Sequence, residues 1–164
     1  MSNFILIDGW NVCWKIQALA DLIPTDLEKV RSRFNQMVNR YFAGKNVTYK
    51  IVYDGQPLIL PQDDFRENKV LFSRNPEKAD DLIIRHLQKQ RNTKNWTVVT
   101  SDMRLSLQAK DLGAKAITSE DFINALNKQR SRNSENNRKS DPKIDQNDIT
   151  YWLDKFSDPD ETNG

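Results

Sequence analysis

The sequence predicts an α/β domain with a mainly parallel central sheet. Short, continuous apolar runs recur between residue 4 and about residue 118, the signature of strands covered on both faces. Amphipathic stretches of helical period separate them. Strict alternation of the two patterns places helices over a parallel sheet.

The predicted strands are Phe4–Asp8, Val47–Asp54, Val70–Ser73, Trp96–Ser101 and Lys115–Thr118. The clearest helix spans about Asp26 to Phe42, where Leu27, Val30, Phe34, Met37, Val38 and Tyr41 form one apolar stripe. Thr25, with Glu28 three residues on, predicts a capping box at its start. A second helix, about Pro76 to Gln90, has Asn75 as the expected cap and Pro76 at its first position. A third, about Met103 to Leu112, is closed by Gly113. A fourth runs from Glu120 to about Lys128, with Ser119 as its expected cap. Gly55 to Asn68 has two prolines and no clean period, which predicts a loop that approaches substrate.

At 164 residues, with 37% hydrophobic and 29% charged residues, the chain fits one globular domain and a short appendage. The expected domain is 1–127, followed by a tail of 128–164. Between Lys128 and Lys143 six basic residues face two acidic ones, and from Ile144 to Gly164 one lysine faces six acids. The Ser/Asn/Arg-rich run beyond Gln129 reads as a solvated linker that can also hold a polyanion. Ile149, Trp152, Leu153 and Phe156 are spaced to dock a short amphipathic segment. No apolar run approaches the roughly 18 residues needed to span a bilayer, and no signal pattern precedes Phe4. A cytoplasmic protein without a membrane partner is expected. The single cysteine, Cys13, excludes an internal disulfide and a cysteine-built zinc site.

The chemistry lies in where aspartates fall. Asp8 closes the first predicted strand, Asp54 closes the second, and Asp102 follows Val98-Val99-Thr100-Ser101. In an open α/β sheet, ligands bind outside the carboxyl ends of the strands. Each aspartate alone has a structural reading as a turn or cap residue; three together point to a site. Asp80 joins them from the second helix, at the flank of the face formed by Ala79, Leu82, Ile83 and Leu87, whereas Asp81 lies near the opposite side. Carboxylates crowded at one place repel one another unless a cation intervenes. Mg²⁺ or Mn²⁺, hard ions that take oxygen ligands and retain water, are the expected cofactors. A metal-activated water then makes a general-base histidine unnecessary, and the only histidine, His86, reads as a core-edge residue.

Around this set, Asn11 either turns back across Gly9 to orient Asp8 or a bound water, or caps the following helix. Thr100 and Ser101 offer hydroxyls to Asp102 or to a phosphate. Lys15, Arg74, Lys78 and Arg104 flank the site in sequence and are expected phosphate contacts. Trp10 and Trp14 are core or rim aromatics first, with base stacking as the second reading.

The stretches Ile7-Asp8-Gly9-Trp10-Asn11-Val12, Val52-Tyr53-Asp54-Gly55, Ala79-Asp80-Asp81-Leu82-Ile83 and Val99-Thr100-Ser101-Asp102 resemble the NYN branch of PIN-like nucleases, in particular the YacP-like group. The resemblance covers roughly residues 3 to 127, with Trp10 in place of the family's usual tyrosine. It implies a PIN-like three-layer α/β/α fold, a divalent-metal site and endonucleolytic cleavage of RNA, either mRNA or RNA held on the ribosome. Carried over residue by residue, it makes Asp8, Asp80 and Asp102 the primary catalytic ligands, with Asp54 and Asn11 close by. It says nothing about the tail or the oligomeric state.

A haloacid-dehalogenase-type phosphatase needs a second aspartate where Trp10 stands. A dinucleotide-binding fold needs a glycine-rich first turn, which Asp8-Gly9-Trp10-Asn11 lacks. The alternative from a different class is a PIN-like RNA-binding or ribosome-associated module with little or no catalysis.

Overall fold

The computed structural model describes residues 2–55 and 69–136. Five strands, β1 (Asn3–Asp8), β2 (Val47–Tyr53), β3 (Val70–Phe72), β4 (Trp96–Val99) and β5 (Lys115–Ile117), form one sheet in the order β3-β2-β1-β4-β5. Every pairing is parallel. The helices are α1 (Gly9–Cys13), α2 (Gln17–Ala20), α3 (Leu27–Phe42), α4 (Ala79–Gln88), α5 (Met103–Asp111) and α6 (Ser119–Asn136).

Alternating side chains send each strand into two separate cores. Ile5, Ile7, Tyr49, Ile51, Tyr53 and Val99 pack with α3 and α6 residues such as Phe34, Val38 and Phe122. Leu6, Val52, Trp96 and Val98 pack on the other side with Ala79, Ile83 and Leu87 of α4 and with Leu105 and Ala109 of α5. The result is the expected three-layer α/β/α sandwich, its central strands covered on both faces.

This strand order fixes the functional edge. The chain builds outward from β1 through β2 to β3, then returns to add β4 and β5 on the other side. The order therefore reverses between β1 and β4, and the crevice outside their carboxyl ends is where ligands bind in such sheets. In register, Ile7 pairs with Val99, so the next residues on each strand, Asp8 and Thr100, face that crevice.

Several predicted boundaries move. Asp26, not Thr25, caps α3, because its carboxylate accepts the Lys29 N–H at 3.0 Å. The Thr25 hydroxyl instead donates back to the Leu22 carbonyl. Leu27, counted in the apolar stripe, is 46% exposed. The second helix starts at Ala79 with Lys78 as N-cap, not at Asn75–Pro76. Two carboxylates define that start: Asp81 accepts the Lys78 N–H at 3.2 Å, and Asp54 accepts the Ala79 N–H at 2.5 Å. The fourth helix begins at Ser119 and continues to Asn136, across the expected boundary at residue 127. Lys45 Nζ reaches Gln129 Oε1 at 3.0 Å and ties this continuation to the α3–β2 turn. The expected loop over residues 56–68 and the segment around Trp152 lie outside the described residues.

Gly9 is required by space. A Cβ there would stand 2.5 Å and 2.6 Å from two ring carbons of the fully buried Tyr53. Overpacking of this kind costs about 1–3 kcal/mol. Gly9→Ala is therefore expected to lose about that much stability in urea unfolding; a midpoint equal to wild type would show that the ring can yield.

Candidate active site

Asp8 is the innermost of the acids, partly buried at the end of β1. Its Oδ2 accepts the Thr100 hydroxyl at 3.1 Å. Burial pushes its pKa up to about 6; the Thr100 hydrogen bond opposes the rise, and the charges of Asp54, Asp102 and Asp80 add to it. All three other aspartates thus act on Asp8 through the same crevice.

Each of them is positioned by a local backbone task. Asp102 is the N-cap of α5, its Oδ1 accepting the N–H groups of Arg104 and Leu105 at 2.9 and 3.3 Å. These bonds use one oxygen and leave Oδ2 without a donor among the described residues. Asp54 receives the Ser73 hydroxyl at 3.1 Å and the first N–H of α4, so it anchors the helix that carries Asp80. Asp80 is partly buried in the first turn of α4, and Asp81 is exposed and spent on the cap. Among the described residues no group of three or more Asp, Glu, His or Cys side chains is gathered closely enough to hold a metal ion by itself.

The flanking polar residues form a scaffold. Thr100, 2% exposed, has a hydroxyl that donates to Asp8 and accepts the Asp102 N–H at 3.1 Å. It couples the two acids. Asn11 lies inside α1. Its Oδ1 accepts the Ser101 N–H at 2.9 Å and the Ser119 hydroxyl at 2.6 Å. Because a backbone N–H can only donate, the amide oxygen must be the atom facing it. The Ser101 hydroxyl donates to Glu120 at 2.5 Å and accepts the Ser119 N–H at 2.9 Å. Of the two hydroxyls expected at Asp102 or a phosphate, that of Thr100 meets the Asp102 N–H and that of Ser101 is bonded to Glu120 and Ser119.

Lys15 pairs with Glu120 at 2.8 Å. The Lys15 and Ser101 hydrogen bonds hold Glu120 down to about 2, so it is ionised at neutral pH. Arg74, Lys78 and Arg104 are on the same edge, and all three are exposed. His86 stacks edge-on against Trp96 at 5.2 Å, with its pKa lowered by burial; it takes no part in the crevice. Cys13 is buried and its thiol is pushed up by burial. Trp14 is 57% exposed, whereas Trp10 leans on Tyr53 at 5.0 Å and donates its indole N–H to the Asp54 carbonyl at 3.4 Å.

Glu120, Ser73 and Arg31, whose guanidinium lies over the Trp10 and Phe72 rings, were not singled out from sequence. Glu120 and Ser73 also follow strands, so the strand-end rule that selected Asp8 would have found them. Arg31 lies inside a helix and carries no such signal.

Carboxylate oxygens are the donors that a hydrated hard cation takes. Mg²⁺ commonly takes one or two carboxylates and keeps several waters, and a positive charge would relieve the repulsion on Asp8. Asp8, Asp80 and Asp102 are the expected candidates to hold it at this edge. In the metal-free protein Asp8 binds its proton more tightly folded than unfolded, where an aspartate titrates near about 3.9. Its contribution is therefore favourable at low pH and is lost as pH rises from about 4 through about 6, by at most ~3 kcal/mol. Asp8→Asn is expected to flatten that pH dependence and to stabilise the chelator-treated protein at about pH 7.5; an unaltered slope in urea unfolding between about pH 4 and 8 would contradict it. Asn11→Ala, which strands two donors, is expected to cost about 1–3 kcal/mol in the same measurement.

Comparison with known proteins agrees with the fold. A crystal structure of a mutant form of Rae1 (YacP) from Bacillus subtilis superposes with a TM-score of 0.70 at 20% identity, covering 92% of this chain and 90% of that one. A second Rae1 (YacP) crystal structure from Bacillus subtilis gives a TM-score of 0.71 at 23% identity, over 84% of this chain and 80% of that one. No curated protein matches the sequence. The family model described as the YacP-like NYN domain matches residues 5–158, well into the tail, and the chain belongs to that family.

Proposed function

We propose that this protein is a divalent-metal-dependent endoribonuclease that hydrolyses RNA phosphodiesters at the β1–β4 crevice. Family membership supports a nuclease. The observation that carries the finer reading is how the acids are placed: the Thr100 hydroxyl joins Asp8 to the start of the Asp102 turn at the β1–β4 crevice, and Asp54 holds the first N–H of the helix that carries Asp80. Among the described residues no Lys or Arg side chain pairs with these four acids. A structural role for so many acids at a strand switch is costly.

Mg²⁺ or Mn²⁺, when bound, supplies a Lewis acid for the phosphoryl oxygen and an activated water. The chain's own residues do the rest. Asp8 and Asp102 are held in fixed relation by the Thr100 hydroxyl. Asp80 is carried on a helix whose first N–H is bound by Asp54, so Asp54 acts as a positioning residue. Asn11 holds Ser101 and thereby the turn that presents Asp102. Arg74, Lys78 and Arg104 offer cations to the RNA backbone along this edge. Lys15 is partly neutralised by Glu120. Among the described residues no helix is long and apolar enough to cross a membrane.

Incubation of single-stranded and structured RNA with Mg²⁺ or Mn²⁺ is expected to give endonucleolytic products. Asp8→Asn and Asp102→Asn should each lower the rate by about 100-fold or more, the scale of several kcal/mol of transition-state stabilisation. Asp54→Asn should act more weakly, by about tenfold to 100-fold, as expected of a group that orients a ligand. Equal cleavage by wild type and folded Asp8→Asn would reject the site. RNA binding without cleavage by wild type would favour the binding-module reading.

A further inference from the structure

Among the described residues Arg31, in the second turn of α3, is the cation that aromatic rings hold beside the crevice. Its guanidinium carbon lies 5.8 Å from the Trp10 ring centre and 5.7 Å from that of Phe72. Those rings bracket Tyr53, with centroids 5.0 Å and 5.8 Å from it. The same two residues border Asp54: the Trp10 indole N–H reaches the Asp54 carbonyl, and Phe72 precedes Ser73, which donates to the Asp54 carboxylate. Arg31 is partly buried, and among the described residues it forms no ion pair or hydrogen bond with an acidic group. A guanidinium carries five donors in a planar fork suited to phosphate. Contact with aromatic faces stabilises the cation without using those donors.

We propose that Arg31 is a backbone-phosphate clamp for single-stranded RNA, on the β2–β3 side of the crevice and opposite the side where Arg104 stands. The inference rests on the RNA-cleaving reading and adds to it a direction for the strand. RNA would run from the α5 side, across the four aspartates, toward the Trp10–Arg31–Phe72 group. Trp10 and Phe72 orient the guanidinium, and α3 delivers it to this edge because the helix starts there and runs away to the start of β2. Arg40, nine residues further along α3, lies about 13 Å down the helix axis, toward the opposite edge of the sheet.

The test is fluorescence anisotropy of a mixed-sequence single-stranded RNA with the full chain in EDTA, across a salt series. Arg31→Gln is expected to weaken binding about three- to tenfold at low salt. It should also reduce the slope of log affinity against log salt by about 0.7, the loss of one phosphate contact on a single strand. Arg31→Lys should restore the slope while recovering only part of the affinity, and Arg40→Gln should change neither. A merely structural Arg31 would leave the slope unchanged in both Arg31 variants, and that result, with thermal midpoints near wild type, overturns the clamp. Failure of wild type to bind RNA overturns the clamp and the RNA-cleaving reading together. A lost slope in Arg31→Gln beside a wild type that binds but does not cleave supports the clamp and removes only the catalytic reading.

Discussion

A carboxylate placed where water is scarce, with three others acting on it, is the constraint around which this edge of the molecule is organised. Asp8 must end β1 at the reversal of strand order, since only there does a parallel sheet open a crevice. Burial makes its ionised form costly, and the charges of Asp54, Asp102 and Asp80 increase that cost. The Thr100 hydroxyl offsets part of it by donating to Oδ2. The remainder is the electrostatic basis for expecting a cation.

The acids are kept apart and in place by groups that are themselves satisfied. Asp102 caps one helix and Asp54 receives the first N–H of another, so each serves the fold with one oxygen while its charge acts on the crevice. Asn11 joins the β4 turn to the start of α6, and Ser101 and Glu120 extend that link to Lys15. Structural and functional readings of these aspartates are therefore not exclusive. The cap geometry is what orients the carboxylate, and helix starts suit negative charge for the same reason they need acceptors.

Close packing under the site has a similar double effect. Tyr53 fills the space beside Gly9 and meets Trp10, and Trp10 in turn meets Arg31. The tight turn after Asp8 is thus coupled to the aromatic group that carries a cation to the rim. The tryptophan at position 10 presents an indole N–H to the Asp54 carbonyl.

The sequence by itself determined the kind of fold and the edge at which the aspartates gather. Continuous apolar strands between amphipathic helices leave only a covered parallel sheet, and aspartates immediately after strands must share one edge, because strand direction is common to all. Strand order, helix starts and hydrogen-bond partners were decided by tertiary structure. The Asn75–Pro76 pair has the composition of a helix start, yet α4 begins at Ala79, where Asp54, 25 residues away, takes its N–H. Asn11 finds its partners 90 and 108 residues away, at Ser101 and Ser119. Arg31 is one basic residue among several on α3 until Trp10 and Phe72 come to lie beneath it. Periodicity and capping rules act within a few residues, whereas these contacts join segments brought together only when the sheet closes its order. The residue types were legible; their partners required the fold.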